Sequence, residues 1–254
     1  MKKYILISLV LLILSGCTKV EVTSLEDELL YSNKLVVGVS PDYPPFQSIN
    51  NKGEVIGFEP DLLADIVEVI NRNNNLDLEI EYRQMAFEML VSAIHTRQVD
   101  VGSSGFTYSE DRDATFSNTF FNSEQIIIVK HDSDIKTIED LENKKVGVGL
   151  GTTGEEAVID IKDIKITNSE YPIMFTALKS GSLDAVVSDL VVGNNYIKEM
   201  DLVRLEEPIA IEEMKMIFRH NLKYLDKEFN KAIDEYVASE QYEQLKEKWG
   251  LAND

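Results

Sequence analysis

The chain of 254 residues has a single cysteine, Cys17, so neither a disulfide framework nor a cysteine metal site can be built within it. Histidine is almost as scarce. His95, His131 and His220 are scattered, with no metal-ligand spacing such as HExxH, and read as surface or packing residues. No metal or other cofactor is expected. Positive charge is short as well: 25 Lys and Arg stand against 45 Asp and Glu, for a formal net charge of −20. A surface of that sign repels phosphate backbones and anionic headgroups, which excludes nucleic acid as an expected partner. No apolar run reaches the ~20 residues that span a bilayer. Low-complexity linkers are missing too. What remains is 44% hydrophobic and 28% charged, the composition of a globular protein with one large domain or two lobes.

The N-terminus is more informative. Lys2 and Lys3 precede an apolar run from Tyr4 to Leu14, broken only by Ser8, which suits the apolar region of an export signal. Leu14-Ser15-Gly16-Cys17 then resembles the bacterial lipobox, in which cleavage before the cysteine leaves it N-terminal and lipid-modified on sulfur. The alternative is an ordinary signal peptide with an incidental cysteine. The expected division is a signal peptide over 1–16 and a lipid-anchored tether over 17–32. The protein is then expected on the extracytoplasmic face of the cell membrane.

From Lys34 onward short β-type runs alternate with helical spacing. Leu35 to Val39, Leu78 to Tyr82 and Val99 to Val101 read as strands. Between them, Leu62, Leu63, Ile66, Val67 and Ile70 recur at helical spacing after Pro60, and Phe87, Leu90, Val91 and Ile94 share a second helix face. After Phe120-Phe121-Asn122-Ser123 the alternation restarts with Ile126 to Val129. Lys145 to Gly149, Ile164 to Ile166 and Ala185 to Val187 follow as strands. Glu155 to Ile161, Ile173 to Leu178 and Leu190 to Met200 read as the helices between and after them. Leu222 to Trp249 reads as one helical stretch. Such a pattern predicts the α/β class with largely parallel sheets, in two blocks that meet near 120–124.

Two constellations could carry chemistry. Gly149-Leu150-Gly151-Thr152-Thr153-Gly154 matches GxGxxG between a strand and a helix, and Glu170 lies where a dinucleotide site would want an acid. The short helix that follows and the export signal argue against that reading. A small anion at free N–H groups, or a purely structural turn, remain open. The second is Asp100-Val-Gly-Ser-Ser-Gly105-Phe-Thr107-Tyr-Ser-Glu-Asp-Arg112, a strand that ends in a Gly/Ser/Thr loop followed by an arginine. Its guanidinium could grip a carboxylate in two-point fashion, or pair with Glu110, Asp111 and Asp113 in solvent.

Taken in order, several of these stretches resemble the bacterial extracellular solute-binding proteins of the polar amino acid class, receptors of ABC importers. The resemblance runs from about Leu35 to Trp249. It rests on Leu35 to Val39 followed by Tyr43-Pro-Pro-Phe46, on Gly57-Phe58-Glu59-Pro60-Asp61-Leu62, and on Phe87-Glu88-Met89-Leu90. It continues through Gly105 to Arg112, Gly151 to Glu155 and Leu183 to Asp189. The fold it implies is α/β, a two-lobe periplasmic-binding-protein-like (type II) Venus flytrap with two hinge crossovers. Lobe 1 would be 33–120 with 215–254, lobe 2 would be 125–210, and the crossovers would lie near 120–124 and 210–214.

The resemblance also implies roles. Arg112 would hold a ligand α-carboxylate with Thr107 and the N–H groups of Thr152 and Thr153. Asp189 would take the α-ammonium with the Gly105 carbonyl and the Thr107 hydroxyl, while Tyr43 and Phe87 flank the side chain. The implied partners are a free amino acid and a membrane permease, for a protein expected to act as a monomer. A dehydratase-type enzyme on the same fold and a ligand-sensing receptor subunit are the alternatives. The chain departs from the family's pattern in a shorter stretch after Arg112, in the missing glycine after the second crossover, and at Ser40. Several members, those for cationic amino acids included, carry Asp there, so an uncharged ligand side chain is expected.

Overall fold

Alternating apolar residues make Lys34–Val39 the first strand, β1, with Leu35, Val37 and Val39 fully buried. The computed structural model describes residues 32–220 and 222–251; the signal, lipobox and most of the tether lie outside the described residues. A small hairpin follows, β2 (Ser48–Ile49) and β3 (Val55–Ile56), and then helix α1 (Phe58–Asn74). α1 exists because Leu62, Leu63, Ile66 and Ile70 form a stripe that is almost wholly buried. Each such side chain contributes about 1.5–3 kcal/mol on leaving water. Strand β4 (Glu79–Gln84), a single turn at Phe87–Met89, helix α2 (Leu90–His95) and strand β5 (Val101–Phe106) complete the first block.

After the short β6 (Thr115–Phe116), a ten-residue strand, β7 (Phe121–Lys130), carries the chain into the second block. There β8 (Lys145–Val148), α3 (Thr153–Val158), β9 (Lys165–Asn168), α4 (Tyr171–Ser180), β10 (Ala185–Asp189) and α5 (Leu190–Met200) alternate. The chain returns through β11 (Leu202–Arg204) and β12 (Ala210–Phe218), then ends on α6 (Lys223–Val237) and α7 (Glu240–Lys248). The single C-terminal helical stretch read from the sequence is thus two helices. Ser239 ends the first, and its side chain accepts from the Tyr242 N–H to cap the second.

One sheet runs through the molecule in the order β4-β1-β5-β12-β7-β10-β8-β9, with β6 beside β12 and β11 beside β7. Its two flanks are parallel, as expected: β1 with β4 and β5, and β8 with β9 and β10. Its centre is not. β12 pairs antiparallel with β5 and β7, and β7 pairs antiparallel with β10 and β11. The correction has a simple cause, since the strand that leaves the first half and the strand that returns to it lie side by side and must run in opposite senses. Their shared ribbon runs from Ala210↔Gln125 to Met214↔Phe121. A large core around Phe46, Phe58, Leu62 and Phe229 and a second around Ile127, Val146 and Val187 fill the interior.

Candidate functional site

A cleft of about 720 Å³ opens between the two halves of the sheet. Of the eight ligand-binding residues expected from the sequence, Tyr43, Phe87, Gly105, Arg112, Thr152, Thr153 and Asp189 line it. Thr107 is not among the lining residues but contacts two groups at the cleft's back.

The loop that carries Tyr43 is held by the start of α1. The N–H groups of Phe58 and Glu59 donate to the carbonyls of Pro45 and Phe46 at 3.0 and 3.1 Å. Gly57 makes this approach possible: its φ is +146°, and a Cβ there would stand 2.1 Å from the Phe46 oxygen. Glu59 is completely buried and accepts from the Ser103 hydroxyl at 2.5 Å and from Gln47 Nε2 at 3.1 Å. Burial pushes its carboxyl up to about 7 against those bonds. This polar knot ties the Tyr43 loop to β5 and so to Gly105, where φ is +62° and a Cβ would stand 3.0 Å from the Tyr43 ring, so that a side chain would be both strained and crowded. Tyr43 itself is a core residue, stacked on Phe46 and tilted against Tyr171. It is buried to 7% exposure, yet its ring still forms part of the cleft wall.

Arg112 reaches across. One Nη donates to the Thr107 carbonyl and the other, at 2.9 Å, to the carbonyl of Gly151 in the opposite half. The guanidinium lies 5.6 Å from the ring centroids of Phe87 and Phe106, which stack on each other. Burial lowers its pKa, partly offset by Glu156 and Glu212. The residue beyond it, Asp113, is gripped by His220 at 2.7 Å and His95 at 3.5 Å, so the shortened loop is pinned to its own half. Two of the three scattered histidines therefore serve this anchor.

Asp189 ends β10 and is buried to 5% exposure. Burial raises its carboxyl to about 7, repulsion from Glu212 adds to the effect, and hydrogen bonds from Tyr43 and Gln125 oppose it. A buried guanidinium and a buried carboxyl thus face one cleft from opposite halves, and an ammonium brought to the carboxyl would favour its ionised form, the arrangement that suits a zwitterion in a dry site.

Thr152 N-caps α3: its hydroxyl donates to the Gly149 carbonyl at 2.8 Å and accepts from the Glu155 N–H at 3.2 Å. Glu155 in turn takes the Gly151 N–H at 2.7 Å. The protein's own acid therefore already meets part of this helix terminus. The hydroxyls of Thr107 and Thr153 both donate to Glu212, on β12.

Sequence reasoning gave no amino acid-binding role to five groups here. Gln125, Asp42, Glu88 and Glu170 line the cleft, and Glu212 stands behind it. Asp42 accepts from the Ser40 hydroxyl at 3.1 Å, and its carboxyl is raised by burial and further by Glu170 and Glu88. Ser40 therefore holds an acid two residues along from the position where several members carry Asp. The signal was present in Pro41-Asp42-Tyr43, but an acid in a turn-rich loop reads as solvated.

Comparison with known proteins places the chain among relatives. The model of the bacterial extracellular solute-binding proteins, family 3, matches residues 35–252. The arginine-binding extracellular protein ArtP of Bacillus subtilis (strain 168) is 30% identical over 226 residues, covering 85% of this chain and 86% of its own. A probable histidine-binding protein of Campylobacter jejuni subsp. jejuni is 29% identical, with 99% of this chain and all of its own covered. A solved mutant of ArgBP from T. maritima has a TM-score of 0.80 at 33% identity, covering 89% of this chain and 98% of that one. The two halves of the sheet are accordingly the two lobes of a type II binding fold.

Proposed function

The chain belongs to the bacterial extracellular solute-binding proteins, family 3, and on that premise we propose that it closes on a free amino acid with a cationic side chain and hands it to an ABC permease. No bond is made or broken. The observation that carries the reading is the pairing of buried Arg112 and buried Asp189 across one cleft. Arg112 takes the α-carboxylate with N–H groups its two carbonyl bonds leave over. Asp189 takes the α-ammonium, aided by the Gly105 carbonyl. The side chain runs past Phe87 towards Asp42, Glu88 and Glu170. Asp42 is repelled by Glu170 and Glu88, which favours a cation beside them, in place of the uncharged side chain expected from Ser40. Relatives whose names record arginine and histidine binding support the same class. Lobe 1 is taken as 33–120 with 215–254 and lobe 2 as 125–210, hinged on the β7–β12 ribbon. Cys17 carries the lipid that holds the monomeric receptor at the outer face of the membrane.

A thermal-shift panel of arginine, lysine, histidine, glutamine and cystine tests the ligand class. A ligand at 100 times its dissociation constant adds about 2.7 kcal/mol. The cationic amino acids should raise the melting temperature and the others should not; stabilisation by glutamine or cystine alone sinks the reading.

A further inference from the structure

Glu212 lies on the returning strand of the β7–β12 ribbon, is 2% exposed, and is used by nothing in the ligand scheme above. One carboxylate oxygen accepts from the Thr107 hydroxyl, and the other accepts from the Thr153 hydroxyl at 2.7 Å. Thr107 follows β5 in lobe 1, and its carbonyl holds Arg112. Thr153 opens α3 in lobe 2, beside the Gly151 carbonyl that Arg112 reaches. A single side chain on the connecting ribbon thus touches the carboxylate-binding machinery of both lobes.

We infer that Glu212 is a positioning residue that links the lobes behind the ligand, its own carboxylate rather than the ligand's taking the Thr107 and Thr153 hydroxyls. The link deepens the proposed function and rests on it only for the ligand. Both hydroxyls reach one carboxylate only when the lobes are together, so the Glu212 bonds favour the closed cleft through contacts that separated lobes lack. The ligand carboxylate is left to Arg112 and backbone N–H groups. Charge close to Glu212 comes from Arg112, Glu156 and Asp189, on three other segments.

The test uses the full-length protein with Glu212→Ala, Glu212→Gln, Thr107→Val and the double variant Glu212→Ala/Thr107→Val. Hydrogen exchange without added amino acid is read first. Glu212→Ala should speed exchange in both 107–112 and 151–156, in opposite lobes, and Glu212→Gln, which keeps the shape and one acceptor oxygen but must turn the other hydroxyl round to accept from its amide, should speed it less. Thr107→Val leaves the carboxylate in place and should speed exchange at 151–156, so the idea stays testable if Glu212→Ala folds poorly. Unchanged exchange in either lobe overturns it. Affinity for L-arginine is read second. Glu212→Ala should weaken it by about 10- to 100-fold, and adding Thr107→Val should weaken it no further, because the two residues act as one unit. If Thr107→Val costs the same factor in both backgrounds, the hydroxyl serves the ligand directly and the inference falls. A wild type that binds no L-arginine removes the ligand reading alone, since the exchange result still decides the role of Glu212.

Discussion

Arg112 and Asp189 make the residue scale decisive, because each is a buried charge whose partner at hand is only partial. Removing the arginine from a charge-assisted pair should cost about 2–5 kcal/mol of binding, much of it from leaving the ligand carboxylate unpaired. Arg112→Ala should therefore weaken amino acid binding by at least about thirtyfold in titration calorimetry, and a loss below tenfold would place the carboxylate elsewhere. Asp189 behaves differently. In the fold its carboxyl keeps a proton up to about pH 7, whereas the unfolded chain releases it near the ordinary 3.8. The folded state binds the extra proton between those values, so this residue makes stability fall as pH rises from about 4 to about 7. Asp189→Asn should thus bind ligand more weakly yet be the more stable protein above pH 7, by up to about 4 kcal/mol. Urea unfolding at pH 5 and pH 8 checks this; the stability difference should grow with pH, and a constant one would contradict it. The type of each charge could be read from the chain. Its burial could not, because Arg112 stands among Glu110, Asp111 and Asp113 and looks solvated until Phe87 and Phe106 pack beside it.

Among the elements, α1 does most to build the site although it contributes no side chain to the cleft lining. Its first two N–H groups hold the loop of Tyr43, and the side chain of its second residue, Glu59, ties that loop to β5. Gly57 is the joint. An alanine there would meet backbone at 2.1 Å and would have to adopt a φ of +146°. Gly57→Ala should cost about 3 kcal/mol of stability in urea unfolding, from strain and displaced backbone together. Ligand affinity should fall with it, since the Tyr43 loop moves. Unchanged stability would mean that the loop relaxes freely. The helix itself was legible from the spacing of Leu62, Leu63, Ile66 and Ile70. Strands β11 and β12 were not, because Glu212 and Glu213 interrupt β12's apolar run and only pairing with β7 explains them.

For the whole molecule, the β7–β12 ribbon makes two lobes out of one continuous sheet. A zwitterion can satisfy Arg112 and Asp189 together only when the lobes meet, which is the condition for a ligand-driven population shift. Small-angle scattering should show wild type contracting when arginine is added. Asp189→Asn at saturation should contract less, and equal contraction would show that closure is driven from elsewhere. The anchor is a matter of the same scale. Cys17→Ser should leave the lobes folded but release them from the membrane or block processing. Unchanged membrane retention with unchanged N-terminal mass would refute lipidation. An acyl chain contributes about 0.8 kcal/mol per buried CH₂, and a surface of net charge −20 offers no electrostatic substitute.

By itself the sequence determined most of the segments that become strands and helices, because periodicity of 2 or 3.6 is a local property of burial. It also determined the order of the motifs, and with it the resemblance that implies roles for Arg112 and Asp189. Only the tertiary structure decided who bonds to whom. The Ser40 hydroxyl goes to Asp42, the Thr107 and Thr153 hydroxyls go to Glu212, and the Arg112 fork meets the Gly151 carbonyl. Those partners lie from 2 to 105 residues apart along the chain. Hydrogen bonds are short and directional, so a few ångströms of packing choose among many candidate donors and acceptors. Hydrophobic patterning cannot make that choice, since burial is non-directional and counts only area.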